Sequence, residues 1–517
     1  MLADNIVGIY NSIQKEYPKH VDSNWFIGGE DYPEIKKNRR QIIQKEKIEL
    51  YNENKLYDDV RQLFHLYHMD DENYGTEEWN PLGEIIEPGC KVVLKPNLVM
   101  DFNASKEGTD CLFTQPSFLA PVLEYTIIAL KGKGMITIGD APMQECNLDK
   151  LLDQSGYREM LSFFINSYSS EMLKIELVDF RELTTVVEKS GVLKQSIRKD
   201  ARGIIVDLKN ESEFAQYDEQ HLRRMRITNY APERLKSHHQ PGKHEYYVSS
   251  YILNADVVIN LPKPKTHRKA GYTAAMKNMV GINVRKEYLP HHTNGSVEEG
   301  GDEYKRKSYI RQVDDYFFDK KNTSEGNGYL NRAKFYRLIA VGLKVLTKFI
   351  YKDETEGSWY GNRTISKTIV DLNKILNYAD SNGVLKPEKQ RKVLSIGDMI
   401  ITGEKEGPVA PSPKPLGVLV IGQNSFAFDV VVGVMMGADL DRIPLIRDSI
   451  FGNSKYSVLP QIMRGDKLNK NSTKDFIKNR IFVSSNNEAI DKKEILEIAR
   501  EDKWLLVPTQ GWKEVFD

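Results

Sequence analysis

Cysteine is scarce in this sequence. Its 517 residues include three, Cys90, Cys111 and Cys146, and no two stand at a C-x-x-C spacing. That leaves no basis for a cysteine-built zinc site or iron–sulfur cluster and suits a reducing compartment. Net charge is also missing: 73 basic residues balance 73 acidic ones, so there is no global electrostatic footprint for nucleic acid. No apolar run reaches the length of a membrane span, and Asp429 interrupts one of the strongest. Asp4 and the polar residues after it speak against a secretory signal, so a soluble, cytoplasmic protein is expected. The phosphate-binding signatures G-x-G-x-x-G after a strand and G-x-x-x-x-G-K-[ST] are absent, as is the G-x-S-x-G elbow of serine hydrolases. What remains is a folded globular chain, 40% hydrophobic and long enough for two or three domains.

The chemistry that is present concentrates in Val257–Asn283, VVINLPKPKTHRKAGYTAAMKNMVGIN. It opens on a short apolar strand, Val257, Val258 and Ile259, which Pro262 and Pro264 stop. Lys263, Lys265, His267, Arg268 and Lys269 follow, with no acid among them. A helix-compatible run, Tyr272–Val280, contains Lys277 and Asn278 and is closed by Gly281. An apolar strand that feeds a cationic loop and then a helix is how open α/β sheets build ligand sites at strand ends. The alternative is a solvated loop that happens to be basic.

Four segments organise the chain. Residues 1–85 read as an N-terminal helical layer, with apolar residues of Gln41–Leu66 at helical spacing among many lysines and glutamates. Residues 86–284 read as the first α/β part. There strand Cys90–Leu94, helix Ser117–Leu130, strand Met135–Ile138 and helices Leu148–Ser155 and Tyr157–Phe164 recur as in parallel βαβ units. Residues 285–390 form a mostly helical insertion. Residues 391–517 form a second α/β part with a tail: strands Val393–Ile396 and Gly417–Ile421, a loop Gly397–Pro415 between them, and a helix Phe426–Met436. The expected class is α/β, a mainly parallel sheet flanked by helices. Within the insertion, Arg332–Ile350 carries five cations, no acid and apolar residues at helical spacing. That pattern suits a helix on an anionic membrane surface, or one packed on its own protein or at a subunit interface, so self-association stays open.

Polar clusters follow the predicted strands: Lys95 and Asn97, then Asp140, then Lys263, Lys265 and His267, then Asn424 and Asp429. Parallel strands of one sheet place such ends along a single edge. Lys95, Asn97, Lys263, Lys277, Asn278 and Asn424 are the candidate substrate-binding residues, since ammonium and amide groups suit phosphate or carboxylate. His267, Lys265 and Asp140 are the candidate catalytic residues. His267 leads because its intrinsic pKa lies near neutrality, although it would serve equally well bonded to a neighbouring loop. Asp398, Glu404 and Asp429 are the candidate ligands for Mg²⁺, or else ion-pair partners and helix caps.

These residues carry a family resemblance. VVLKPNLV at 92–99, ITIGDAP at 136–142, the 257–283 stretch, GDMIITGEKEGP at 397–408 and GVLVIGQNSFAFDVVVGVMMGAD at 417–439 resemble, in order, the hallmarks of domain-of-unknown-function family 362. The resemblance covers roughly residues 88–450, and SWYGNRT at 358–364 with TIVDLNKIL at 368–376 is similar to its longer members. It implies an α/β fold with marked positions at Lys95, Asn97, Asp140, Lys263, Lys265, His267, Lys277, Asn278, Gly281, Glu404, Gly407 and Asp429. The ferredoxin-like segment that many relatives append is absent, so no iron–sulfur cluster is expected.

The leading expectation is an enzyme that binds an anionic, phosphorylated or carboxylated small molecule in a lysine-lined cleft, with Mg²⁺ as the suited ion. Two alternatives stand beside it. One is a non-catalytic metabolite-binding or assembly factor. The other is a peripheral membrane protein, docked through 332–350, that acts on a lipid-linked or polymeric saccharide.

Overall fold

The computed structural model describes every residue except 19–24, 47–52, 188, 190, 351–355, 453–454, 465–471, 499–503 and 517, and except the side chains of 41–46, 344 and 346–350. A ten-stranded sheet runs through it. In chain order its strands are β1 (Ile6–Asn11), β2 (Lys91–Pro96), β3 (Gly134–Asp140), β4 (Leu173–Asp179), β5 (Val257–Leu261), β6 (Lys265–His267), β7 (Gly271–Thr273), β8 (Lys392–Glu406), β9 (Ala410–Gly422) and β10 (Phe482–Ser485). The main path is β10–β1–β9–β8–β5–β2–β3–β4, with β6 and β7 attached beside β8. Along that path β9 alone is antiparallel to its neighbours.

Alternation along each strand explains why the sheet is covered on both sides. Val92 and Leu94 of β2, Ile136 and Ile138 of β3 and Ile259 of β5 join one core. That core is closed by α1 (Pro33–Glu46), α2 (Leu56–Leu66), α3 (Pro116–Leu130), α4 (Leu148–Ser155) and α5 (Tyr157–Tyr168). Val93 and Val258 point the other way, to Leu372, Ile375 and Leu376. A one-turn helix, α6 (Ala275–Asn278), follows β7. The insertion supplies a helical hairpin, α7 (Tyr309–Gly326) and α8 (Leu330–Ile350), and then α9 (Thr364–Tyr378), which holds those three residues. On the same face Val418 and Val420 of β9 meet α10 (Ser425–Met435). Among the described residues no helix is long and apolar enough to cross a membrane.

The α/β class, the parallel sheet, the N-terminal helical layer and the helical insertion are as expected, and three local readings differ. The charge-rich N-terminal segment opens with a sheet strand, β1, since six residues are too few for periodicity to separate strand from helix. The 41–66 stretch read at helical spacing is helical at its two ends, in α1 and α2, and its residues 47–52 lie outside the described residues. The 397–415 loop is a long hairpin of β8 and β9. Pro411, Pro413 and Pro415 fall on alternate positions there, a spacing that lets an edge segment keep its other N–H groups for one partner. Tyr272–Val280 is not one helix: β7 ends at Thr273, one turn of α6 follows, and Met279–Ile282 tightens into a 3₁₀ turn.

The N-terminal layer is fastened by buried ions. Glu124 of α3 accepts from Arg39 Nε at 2.8 Å and from the Tyr57 and Tyr168 hydroxyls at 2.7 and 3.0 Å. Removing one partner of a buried pair strands the other charge, so Arg39→Met is expected to lower unfolding free energy by about 3–5 kcal/mol. A urea titration showing a change below about 1 kcal/mol, the value typical of exposed pairs, would refute that role.

Candidate functional site

Parallel strands β5, β2 and β3 lie side by side with their carboxyl ends together, so Asn260, Lys95 and Asp140 emerge on one sheet edge. Lys95 Nζ donates to Asp140 Oδ1 at 2.7 Å, to Asn278 Oδ1 at 3.1 Å and to the Pro96 carbonyl at 2.9 Å. Asp140 Oδ2 accepts the Leu98 N–H at 2.8 Å. Asn278 Nδ2 donates to Asn260 Oδ1 at 2.7 Å, and Asn260 Nδ2 donates to the Ala275 carbonyl at 3.0 Å. This closed network joins α6 to three strand ends. Burial pushes the Lys95 ammonium down from its ordinary pKa, while the Asp140 charge pulls it back up.

Gly281 lets the chain pass over that network. A Cβ on it would lie 1.9 Å from Asp140 Oδ1 and 2.7 Å from Lys95 Nζ. On the far side of α6, Asp429 of α10 accepts the Met276 N–H at 3.1 Å. Burial pushes that carboxyl well above its ordinary pKa, and the N–H bonds to it act the other way.

Above the network is a cavity of about 290 Å³. Asn97, Asp140 and Asn278 reach it from the sheet edge, Val99, Met143, Ile227 and Val409 give it apolar wall, and Lys269, Lys277, Lys286, His267 and His291 face it. Its size fits a small metabolite better than a dinucleotide.

The three lysines differ in how they are held. Lys286 Nζ donates to the Ala141 and Val280 carbonyls at 2.8 and 3.0 Å. Lys269 Nζ donates to Thr228 Oγ1 at 2.9 Å. Lys277, presented by α6, makes no hydrogen bond or ion pair with any described residue. Burial, then repulsion from Lys95 and Lys269, pushes the Lys277 pKa down to about 8. Burial likewise brings Lys269 to about 8, against the pull of Glu356 and Glu303, and Lys286 to about 7, against Asp140. The cavity thus gathers three lysines, none of which forms an ion pair with a described carboxylate, although Glu356 on the cavity wall pulls on Lys269.

The two histidines are fixed in opposite tautomers. Backbone N–H groups of Lys269 and Ala270 point at His267 Nδ1 from 3.0 and 3.2 Å, so the neutral ring carries its proton on Nε2. His291 Nδ1 instead lies 2.7 Å from the Leu289 carbonyl and must hold its hydrogen there, leaving a lone pair on Nε2. Burial pushes both rings well below the usual histidine pKa, with Lys277 the next cause for His267 and Lys269 for His291.

Of the residues singled out from sequence, Asn97, Asp140, His267, Lys277 and Asn278 line this cavity, and Lys95 anchors its floor. The others have different places. Lys263 is sealed against Asp398 Oδ2 at 3.0 Å and the Tyr17 hydroxyl, and Lys265 donates to the Lys263 carbonyl at 2.9 Å. Asn424 caps α10, accepting from Phe426 and Ala427 N–H at 3.0 Å each. Of the three carboxylates read as Mg²⁺ ligands, Asp398 serves Lys263, Asp429 serves α6, and Glu404 accepts the Val507 N–H at 3.0 Å. Among the described residues no three His, Cys, Asp or Glu side chains converge as a metal cage. Lys286 and His291 escaped sequence reasoning. The one available signal was the pair His291–His292 just past the main motif, which has no metal-ligand spacing.

These features define an α/β protein with a cationic cavity at the carboxyl edge of its parallel strands. The model of the family described as Domain of unknown function (DUF362) matches residues 170–433, and the chain belongs to that family. The matched stretch holds the 257–283 motif and begins after Lys95, Asn97 and Asp140, inside the 88–450 reach read from the motifs. No curated protein and no solved structure matches the chain.

Gly281→Ala is expected to push the Asp140 carboxyl off Lys95 and to lower the melting temperature. Gly342→Ala on α8, where a Cβ meets nothing within 4 Å, is the control and should be neutral or stabilising by up to about 1 kcal/mol. Equal melting temperatures for Gly281→Ala and the unaltered protein would show that the close approach is unimportant.

Proposed function

We propose that the cavity binds a small carboxylated or phosphorylated molecule and that the protein is an enzyme moving a proton on it. The observation that carries this reading is the ammonium group of Lys277, which faces the cavity without a counter-ion beside two further half-buried lysines. Desolvated like charges are costly unless an opposite charge joins them, and an anionic ligand supplies it. Lys277 offers all three N–H groups, and Lys286, with two given to carbonyls, has one left.

Proton transfer is read from the two rings. His291 Nε2 is the acceptor: on taking a proton it becomes an imidazolium whose Nδ1–H still bonds the Leu289 carbonyl. Its basicity is suppressed first by burial and then by the surrounding lysines in the free protein. A bound anion raises it toward the range where a general base works best. His267 takes a role other than the proton shuttle expected from sequence. With Nδ1 occupied and Nε2 protonated, it donates a hydrogen bond to a substrate oxygen where negative charge develops. Asp140 and Lys95 position α6, while Lys265 lies outside the cavity.

Calorimetry with inorganic phosphate and small carboxylates tests the reading. The free-protein lysine pKa values of about 7 to 8 must rise when an anion binds, so binding between pH 7 and 9 takes up protons and weakens as pH increases. Lys277→Ala should lose roughly 1.5–3 kcal/mol of binding free energy. Binding that releases protons, or that survives Lys277→Ala unchanged, contradicts the assignment. Once mass spectrometry identifies a co-purifying small molecule, His291→Ala should retain its binding and lose turnover. Turnover equal to the unaltered protein would move the base elsewhere, and binding without turnover in the unaltered protein would favour a non-catalytic metabolite carrier.

A further inference from the structure

The insertion hairpin exposes an apolar surface that the cavity reading does not use. On α7, Tyr309 is 75% and Tyr316 55% exposed, and on α8, Phe335 is 62%, Leu338 74% and Val345 53% exposed. Single exposed apolar side chains are ordinary, but a row of them at helical spacing along each of two packed helices marks an interaction surface. The charges are sorted to match. Every exposed residue described on α7 and α8 is apolar, basic or uncharged. α8 has no acid at all, and the acids of α7 are buried or half-buried, with Asp319 against Arg226 at 3.0 Å and Glu325 on the Leu193 N–H at 3.2 Å. Lys320 and Arg332 stand beside the exposed rings of Tyr316 and Tyr329, at 5.4 and 5.2 Å.

We propose that this outer face of α7 and α8 docks onto an anionic lipid surface. Aromatic and aliphatic side chains on one helical face, with lysine and arginine at its margin and no carboxylate, are what an interfacial helix needs. A second copy of the chain fits less well, because a two-fold contact through this face would set its cations against one another. The cations Lys344 and Lys348 lie further along α8 in the sequence, and Glu356, which lines the cavity, follows soon after.

Flotation of the full chain with phosphatidylcholine vesicles, with and without phosphatidylglycerol, tests this. Binding is expected only to the phosphatidylglycerol vesicles, and should fall steeply as salt is raised from about 50 to 500 mM. Leu338→Glu and Phe335→Glu should each reduce it at least tenfold, and Arg332→Gln and Lys320→Gln about fivefold each. All four sites are on the surface, so melting temperature and phosphate binding in the cavity should not change; intact cavity binding separates this proposal from the preceding one. Absence of binding at low salt, equal binding to neutral vesicles, or insensitivity to Leu338→Glu would overturn it. So would light scattering that finds a dimer which Leu338→Glu dissociates, since the face would then belong to a second copy.

Discussion

The bond between Lys95 and Asp140 is the constraint on which the site depends. Neither charge would be tolerable alone at a buried sheet edge, and neither is alone: one ammonium and one carboxylate satisfy each other while bonding α6 and the Leu98 peptide. Because both arise at the ends of adjacent parallel strands, the pair fixes where α6 sits relative to the sheet. α6 in turn fixes Lys277, and the passage of Gly281 over the pair requires a residue without a side chain. Replacing the pair by hydrocarbon of similar volume would preserve packing but would lose the geometry that holds one lysine out into the cavity.

The rest of the site follows from an imbalance of charge. Lys95 and Asp140 cancel, Lys263 and Asp398 cancel, and Asp429 is spent on the first peptide of α6. Lys277, Lys269 and Lys286 lack such close carboxylates, and burial pushes all three down toward neutrality. Lys265 is likewise without a carboxylate, but it lies outside the cavity and is bonded to the Lys263 carbonyl, so in our proposal the three cavity lysines are the group whose partner comes from outside. The opposite tautomers of His267 and His291 add a fixed donor and a fixed acceptor to the same walls, each set by backbone groups rather than by another titrating side chain.

Much of this was legible in the sequence, for stated reasons. Strand β5 with its cationic exit, the βαβ rhythm of residues 86–168 and the family motif all depend on local pattern, and pattern located the strand ends that carry Lys95, Asn97 and Asp140. Separation of lysines into structural and cavity-facing was not legible. Lys263 and Lys265 are neighbours of His267 in sequence, yet Tyr17 and Asp398, far away in the chain, draw Lys263 into the core. His291 and Lys286 lay past the motif, and only the fold brings them to the same cavity. The long β8–β9 hairpin was hidden because proline and glycine usually mark loops, and here they mark an edge that is paired on one side.

The central claim is that Lys277 is a desolvated ammonium awaiting an anion. Its Nζ can be titrated directly by NMR in protein carrying labelled lysine, with Lys277→Arg for assignment, in the presence and absence of phosphate. Titration near 8 is expected in the free protein, as burial and neighbouring lysines require, with a clear rise when phosphate is bound. Titration at the ordinary lysine value without phosphate, or no response to it, would contradict the account.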